Sequence, residues 1–595
     1  MPRKYVDQKD DFYFIMIKPS HYDDDGYVIQ WVRSEIPSNT MAALNGIALD
    51  CIERRVLGDD VDIKIIAHDE TNTRIKPQKI IRMIKSQGAS GMVALVGVQS
   101  NQFPRAIDIA RPLREAGIPV CIGGFHVSGC LSMLPELPAD IREAQDLGIS
   151  IFAGEAEGRL DKVIQDAYRN EMKPLYNFMS DLPGLEGAPI PILPYANIER
   201  NIEVRTSFDS GRGCPFQCSF CTIINVQGRK SRYRTADDIE KILRINLAQG
   251  INSFFITDDN FARNRNWEAI FDRIISFRKQ ENVKIKLIIQ VDTLCHKIPN
   301  FVEKAGRAGV KRVFIGLENI NPDNLLAANK RQNRITEYRL MLQMWKATGA
   351  ITYCGYILGF PADTPDRILR DLEILKRELP IDLIEFFCLT PLPGSQDHKT
   401  LDAEGVWMDP DMNKYDLEHA CTGHPLMSPE EFGEIYRRAW DVFYSAEHVE
   451  TLMRRAVVSG MKSRRIMRAA VWFYACQVLE KVHPLQGGLF RRKYRRDRRP
   501  TLPIESPLIF YPRYLWEIVS KHVLFAKLYW SFSRARARVE NDPAKHDYMD
   551  VSLSPPEGED MDVLEIFTAT EFGRAAVRKM RKQQKLSASF VDAAE

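Results

Sequence analysis

Short apolar runs alternate with helix-length amphipathic stretches from the start of the chain. The run FYFIMIKPS at 12–20 reads as a buried strand stopped by Pro19. A helical period follows from about Asn39 to Leu57, with Ser38 or Asn39 as candidate N-cap. Strands are expected at Val61–Ala67, Met92–Val98, Ile118–Ile122 and Ile149–Ala153, with helices at Pro77–Ser86 and Arg105–Ala116 between them. This alternation predicts an α/β domain over residues 1–169 built on a doubly wound, flavodoxin- or Rossmann-like parallel sheet. Ligands of such sheets sit beyond the carboxyl ends of the strands, where Gly123-Gly124-Phe125-His126 and Gly154-Glu155-Ala156-Glu157 fall.

Residues 170–203 carry five prolines and no helical or strand period, which predicts an interdomain linker. The rhythm then resumes as six strand–helix units, with strands near Val204–Ser207, Ser253–Thr257, Ile285–Gln290, Arg312–Gly316, Ile351–Gly359 and Leu383–Leu389. Six units imply a partial parallel (β/α)6 barrel over 204–400, with its chemistry at the strand C-terminal ends. Residues 401–545 read as a helical C-terminal domain, in which Ser428-Pro429-Glu430-Glu431 is a helix start. Residues 546–595, acidic and then basic, read as a partly disordered tail.

Composition changes this picture little. The 595 residues are 45% hydrophobic and 27% charged with net charge +3, so no nucleic-acid partner is expected. The eleven cysteines stand mostly alone in apolar segments, which fits a reducing cytoplasm, and the N-terminus is polar where a signal peptide would be apolar. One region departs from the average: 485–540 carries 13 Lys and Arg against 4 Asp and Glu, including the run Arg491–Arg499. Beside it, Tyr514–Phe532 is rich in aromatic and aliphatic residues, the composition of an element lying on an anionic membrane. An apolar helix packed on the barrel with a solvated basic face is the plainer alternative.

The sharpest chemical signal is GRGCPFQCSFCT at 211–222, with Cys214, Cys218 and Cys221 in CxxxCxxC spacing and Phe220 before the last cysteine. Cysteine thiolates hold iron–sulfur clusters, ordinarily four to a cluster. The next cysteine, Cys295, lies more than seventy residues on, and no Cys or His follows Cys221 within ten residues to complete a zinc site. A four-iron, four-sulfur cluster with one open iron is the economical reading.

The motif resembles the radical S-adenosylmethionine (SAM) superfamily. That resemblance implies that the open iron chelates the SAM amino and carboxylate groups, and that an electron from the cluster cleaves SAM to a 5′-deoxyadenosyl radical. It also implies a SAM site at the strand ends, with Phe220, Asp258, Asp259, Asn260, Gln290, Glu318 and Gly359 as candidates. Arg232 and Arg234 are candidates to pair with the SAM carboxylate or the cluster. His419 and His424 are candidate acid–base groups at the barrel mouth.

The preceding domain resembles the cobalamin-binding domain of the cobalamin-dependent (class B) radical SAM enzymes, with Gly123, Gly124, His126, Gly154 and Glu155 as candidate contacts. One departure is that the loop after the first strand reads SHYDDDG, without the DxHxxG that supplies a histidine to cobalt, so cobalamin is expected to bind without one. The implied activity is methylation of an unactivated carbon of a small natural-product or lipid-like substrate, with a flavodoxin or ferredoxin as electron donor and peripheral membrane contact at 485–540. A radical SAM cyclase, oxidase or rearrangement enzyme, and a non-catalytic iron–sulfur or cobalamin sensor, stay open. An RNA methylthiotransferase does not fit, because Cys51, Cys121 and Cys130 lack the spacing of its extra triad.

Overall fold

The computed structural model describes residues 10–86, 89–330 and 337–554. Strand β1 (Asp10–Lys18) is followed by β2 (Gln30–Ser34), which leaves the first sheet. Strands β3 (Val61–Asp69), β4 (Ser90–Leu95), β5 (Val120–Gly123), β6 (Ser150–Ala153) and β7 (Leu175–Asn177) come next. The sheet runs β3-β1-β4-β5-β6-β7, parallel throughout. Ile15, Ile17, Val93 and Leu95 bury one face, and Phe12, Phe14, Met16 and Met92 bury the other. Burial on both sides is why these strands read as continuous apolar runs. Strand β7 lies inside the proline-rich stretch expected to be irregular; three residues show no period, yet they complete the sheet beside β6.

The second sheet holds β8 (Thr206–Phe208), while β9 (Gly211–Arg212) and β10 (Arg232–Tyr233) form a separate antiparallel pair. It continues with β11 (Ser253–Ile256), β12 (Lys286–Val291), β13 (Val310–Glu318), β14 (Ile351–Leu358) and β15 (Leu383–Cys388). The order β15-β14-β13-β12-β11-β8 is sequential and parallel, a partial barrel with helices outside. Local chemistry sets the helix starts. Thr235 with Asp238, and Ser428 with Glu431, make reciprocal caps, and Thr364 caps a helix with Pro365 in its first turn.

The helices Pro429–Phe443, Ala446–Val458 and Ser463–Ala475 follow the barrel. The chain then returns to the first domain, where β16 (Gly488–Arg492) pairs antiparallel with β2. Several cations of the basic run, expected on a membrane or solvent face, are engaged by the protein itself. Arg491 binds Asp23, Lys493 binds Asp23 and Glu517, and Arg499 binds Asp411 through both carboxylate oxygens. Arg491, Lys493 and Arg499 thus help to join the two ends of the molecule. A 35-residue helix, Pro507–Asn541, completes the region. Of the segment expected to be a disordered tail, residues 546–554 are docked: Asp550 receives Arg455 Nε at 2.7 Å and Ser552 is buried. The rest of that segment lies outside the described residues. No helix among the described residues is long and apolar enough to cross a membrane.

Candidate active site

The β9–β10 pair closes the neck of the loop that carries the three cysteines. Asp258, just past β11, holds that neck from behind. It accepts hydrogen bonds from Ser210 N (2.7 Å), Gly211 N (2.9 Å), Ser210 Oγ (2.8 Å) and Asn264 Nδ2 (2.8 Å). Burial raises its carboxyl to about 6 against the pull of these donors. A Cβ at Gly211 would lie 2.7 Å from Asn264 Nδ2, so only glycine allows this approach. Asp258 is therefore a loop clamp, fully engaged by protein, rather than a SAM contact.

Its neighbour Asp259 turns the other way. Asp259 is half-buried, and its charge bears on both Cys214 and Cys221. Burial, with Asp258 beside it, pushes its carboxyl up to about 7. Cys214, Cys218 and Cys221 are half-buried. Burial pushes Cys214 up to about 11 and Cys221 to about 12, with Cys218 adding to both. Thiols held neutral this strongly ionise only under the field of a bound metal centre.

Phe220 packs on Ala328, Ile357 and Phe360, and Ser219 N donates to Ala328 O at 3.1 Å. At the end of β13, Glu318 takes a left-handed φ of 64° and pairs with Lys330. The Lys330 ammonium also lies 5.7 Å from the Phe220 ring centroid and senses the charges of Cys218 and Cys221. Sequence reasoning missed Lys330, which belongs to no motif and follows a short helix. Asn260 Nδ2 donates to Asp292 Oδ2 at 3.0 Å, leaving Asn260 Oδ1 buried without a partner among the described residues. Gln290 Nε2 reaches Asp258 O at 3.3 Å. Gly359 lies between Ile357 and Phe360 of the Phe220 cluster; a Cβ there would meet Phe432 at 2.5 Å, and its N–H donates to Asp363. It shapes a turn under the C-terminal helices.

A cleft of about 180 Å3 opens at the carboxyl ends of β4, β5 and β6. Gly123, Gly124, Gly154 and Glu155 line it from the first domain, and Arg212, Val226 and Gln227 line it from the cysteine loop. Its deeper part is apolar, with Phe14, Leu44, Met92 and Ala94. A Cβ on Gly124 would lie 2.2 Å from Val98 N, so glycine brings the two strand-end loops together. Glu155 accepts from Arg212 Nη1 (2.6 Å) and Arg232 Nη2 (2.5 Å), and Glu157 accepts from Arg212 Nη2 (2.7 Å). Arg212 Nε reaches Asp209 at 3.0 Å. Burial disfavours the Asp209 carboxylate, but Arg212 and Arg234 override it and hold the group at about 2. Arg212, which sequence reasoning passed over, thus joins the GExE segment to the cluster loop.

Five expected residues have other roles in these contacts. His126 is buried outside the cleft, with Ser100 Oγ 3.2 Å from Nδ1 and Asp140 Oδ2 2.9 Å from Nε2, and so anchors its helix. Arg232 serves Glu155, and the fully buried Arg234 donates to Asp209 O at 3.0 Å. Neither faces SAM. His419 bridges Asp24 and Asp416, and His424 Nε2 donates to Phe360 O at 2.9 Å, so both are structural.

A partial parallel barrel whose first strand leads into a CxxxCxxC loop defines a radical SAM enzyme. Residues 209–375 match the model of the Radical SAM superfamily, so the barrel is a radical SAM domain, with a doubly wound domain ahead of it. A radical SAM domain implies a four-iron, four-sulfur cluster and SAM. The chain is 28% identical to bacteriochlorophyllide d C-8(2)-methyltransferase of Chlorobaculum tepidum, over 55% of this chain and 72% of that protein. It is 25% identical to hopanoid C-2 methylase of Rhodopseudomonas palustris, over 54% of this chain and 61% of that protein. The alignments thus span 61 to 72% of these curated relatives.

Among solved structures, TsrM of Kitasatospora setae, a radical SAM methyltransferase with cobalamin and a [4Fe-4S] cluster bound, superposes with TM-score 0.53 at 13% identity. That match covers 77% of this chain and 98% of TsrM. OxsB, a cobalamin-dependent SAM radical enzyme, superposes with TM-score 0.52 at 13% identity, over 97% of this chain and 84% of OxsB. Both share the fold.

Proposed function

We propose that this protein is a cobalamin-dependent radical SAM C-methyltransferase acting on an unactivated carbon of a lipid-like or natural-product small molecule. The observation that carries the reading is the cleft shared by the strand ends of the first domain and the cysteine loop. Arg212, Val226 and Gln227, which flank the three cysteines in sequence, supply the cleft's second wall and support a ligand site near the cluster loop. Methyltransferase relatives of both tetrapyrrole and hopanoid type support the reaction class and a large, apolar substrate.

The cleft fits a corrinoid in two respects. Its rim is built from the strand-end loops that Gly124 and Gly154 pack closely together, and its apolar depth suits an inserted tail. No histidine among the described residues lines it, so cobalt would take no histidine from them. When bound, the cluster with SAM supplies hydrogen-atom abstraction and cobalamin supplies methyl transfer.

The protein's own groups position and shield these partners. Cys214, Cys218 and Cys221 would hold the cluster, and Asp259 would accept hydrogen bonds from the SAM ammonium. Glu318, oriented by Lys330, would receive ribose hydroxyls, and Phe220 would cover one side. Residues 1–169 carry the corrinoid, 204–400 carry the cluster and SAM, and 401–545 hold the ends together. A flavodoxin- or ferredoxin-like donor supplies electrons, and peripheral membrane contact brings a lipid-like substrate within reach.

Anaerobic incubation of reconstituted protein with deuteromethyl-SAM, reductant, cobalamin and a lipid extract tests this. A lipid-soluble product carrying the deuterated methyl group is expected. Accumulation of 5′-deoxyadenosine without any labelled product would point to a radical enzyme of another type.

A further inference from the structure

The helix Pro507–Asn541 is apolar on two opposite sides. Phe510, Phe532, Ala535 and Val539 are buried against the molecule. The other side faces solvent: Leu508 is 86% exposed, Leu515 63%, Trp516 72% and Trp530 61%, with Val519 and Val523 about half exposed between them. These positions keep to one stripe of a 3.6-residue helix, along most of a length of about 50 Å. Contiguous apolar surface on this scale marks a binding surface.

Charge sorts around the stripe. The helix has two acids. Glu517 pairs with Lys493 and Lys521 at the packed side, and Glu540 accepts from Ser463 at the far end. From Leu508 to Val539 the solvent side therefore offers cations alone. Lys527 and Arg534 are exposed and pair with no carboxylate among the described residues, and the Arg534 guanidinium lies 4.8 Å from the Trp530 ring centroid.

A second element adds to the same surface. Phe490 takes a left-handed φ of 56° inside β16, a backbone that a bulky strand residue seldom adopts. Its ring is 64% exposed and stacks on His522 of the helix, 6.4 Å between centroids.

We infer that this stripe, with Phe490, is the surface by which the protein lies on an anionic phospholipid bilayer. Tryptophans at the polar–apolar boundary, aliphatic side chains between them and unpaired cations beside them are what a helix in the headgroup plane requires. The helix cannot span, so it lies flat. This deepens the peripheral contact proposed above and places it on named residues. Vesicle binding needs neither SAM nor turnover, so its failure and the failure of the methyl-transfer reading are told apart.

The test is flotation of the full-length reconstituted protein with phosphatidylcholine vesicles, with and without phosphatidylglycerol. Binding about tenfold stronger to the anionic vesicles at low salt, falling as salt rises, is expected. The double substitution Leu515→Glu, Trp516→Glu lies at exposed positions outside the site. It should lower vesicle binding by about tenfold or more while leaving the melting temperature and SAM cleavage unchanged. Equal flotation of the variant, or no flotation with either vesicle at low salt, overturns the inference. So does a vesicle-free dimer that the double substitution dissolves, which would assign the stripe to a second copy of the chain.

Discussion

Arg212 Nη1 lies 2.6 Å from Glu155 Oε2, across the boundary between the two α/β domains and two residues ahead of the first cluster cysteine. The same guanidinium takes Glu157 and Asp209, so three carboxylates from two domains converge on one cation. The position of the first domain's cleft relative to the cysteine loop is thereby set by a charged contact inside the protein rather than by the linker.

Replacing Arg212 by Met should therefore be costly. Glu157 and Asp209 would be left as buried carboxylates without their main partner, a loss of about 3–5 kcal/mol. Chemical denaturation of the anaerobic protein measures it. A loss below about 1 kcal/mol, the scale of a surface pair, would show that the network is solvated.

Lys330 is expected to act through Glu318. Lys330→Met removes the ammonium that orients that carboxylate and should raise the KM for SAM cleavage on the order of tenfold, about 1.4 kcal/mol. Iron and sulfide content should stay at the wild-type value. A variant that loses its cluster would show instead that Lys330 serves the folding of the cysteine loop.

Cys218→Ala should abolish both the visible absorbance of the reconstituted cluster and all 5′-deoxyadenosine. Retention of either would remove Cys218 from the ligand set. The secondary structure should be unchanged, because the loop neck is held by Asp258 and by the β9–β10 pair.

The strand rhythm and the cysteine loop were legible because each is written in neighbouring residues. Apolar runs report burial on both sheet faces, and CxxxCxxC needs no distant partner. Other features were hidden for the opposite reason. Asp258 and Asp259 are adjacent, yet one clamps backbone and the other faces the thiols; a strand end offers both directions and only the fold chooses. His126 and Gly359 matched expected places, but their partners, Asp140 and Phe432, come from later segments. The basic run at 491–499 looked solvated because its acids, Asp23 and Asp411, lie far away in sequence. Lys330 carried no signal at all.

The junction of the first domain with the C-terminal region should respond to pH through His419. Burial lowers the pKa of His419, but hydrogen bonds and charges from Asp24 and Asp416 prevail and raise it to about 10. A raised folded-state value means that the protonated form stabilises the fold. The contribution is fully present below the unfolded value near 6.5 and fades as pH rises toward 10. Thermal melts across that window should show a decline that His419→Gln flattens. An identical slope in the variant would place the pH dependence elsewhere.

The central claim is that one cluster site serves both a radical and a methyl transfer through a corrinoid held by the first domain. Its most direct measurement is the pair of SAM-derived products formed anaerobically by reconstituted protein with reductant, with and without added cobalamin. The account predicts 5′-deoxyadenosine in both cases, and S-adenosylhomocysteine only when cobalamin is present. S-adenosylhomocysteine that is absent with cobalamin, or formed equally without it, would contradict it.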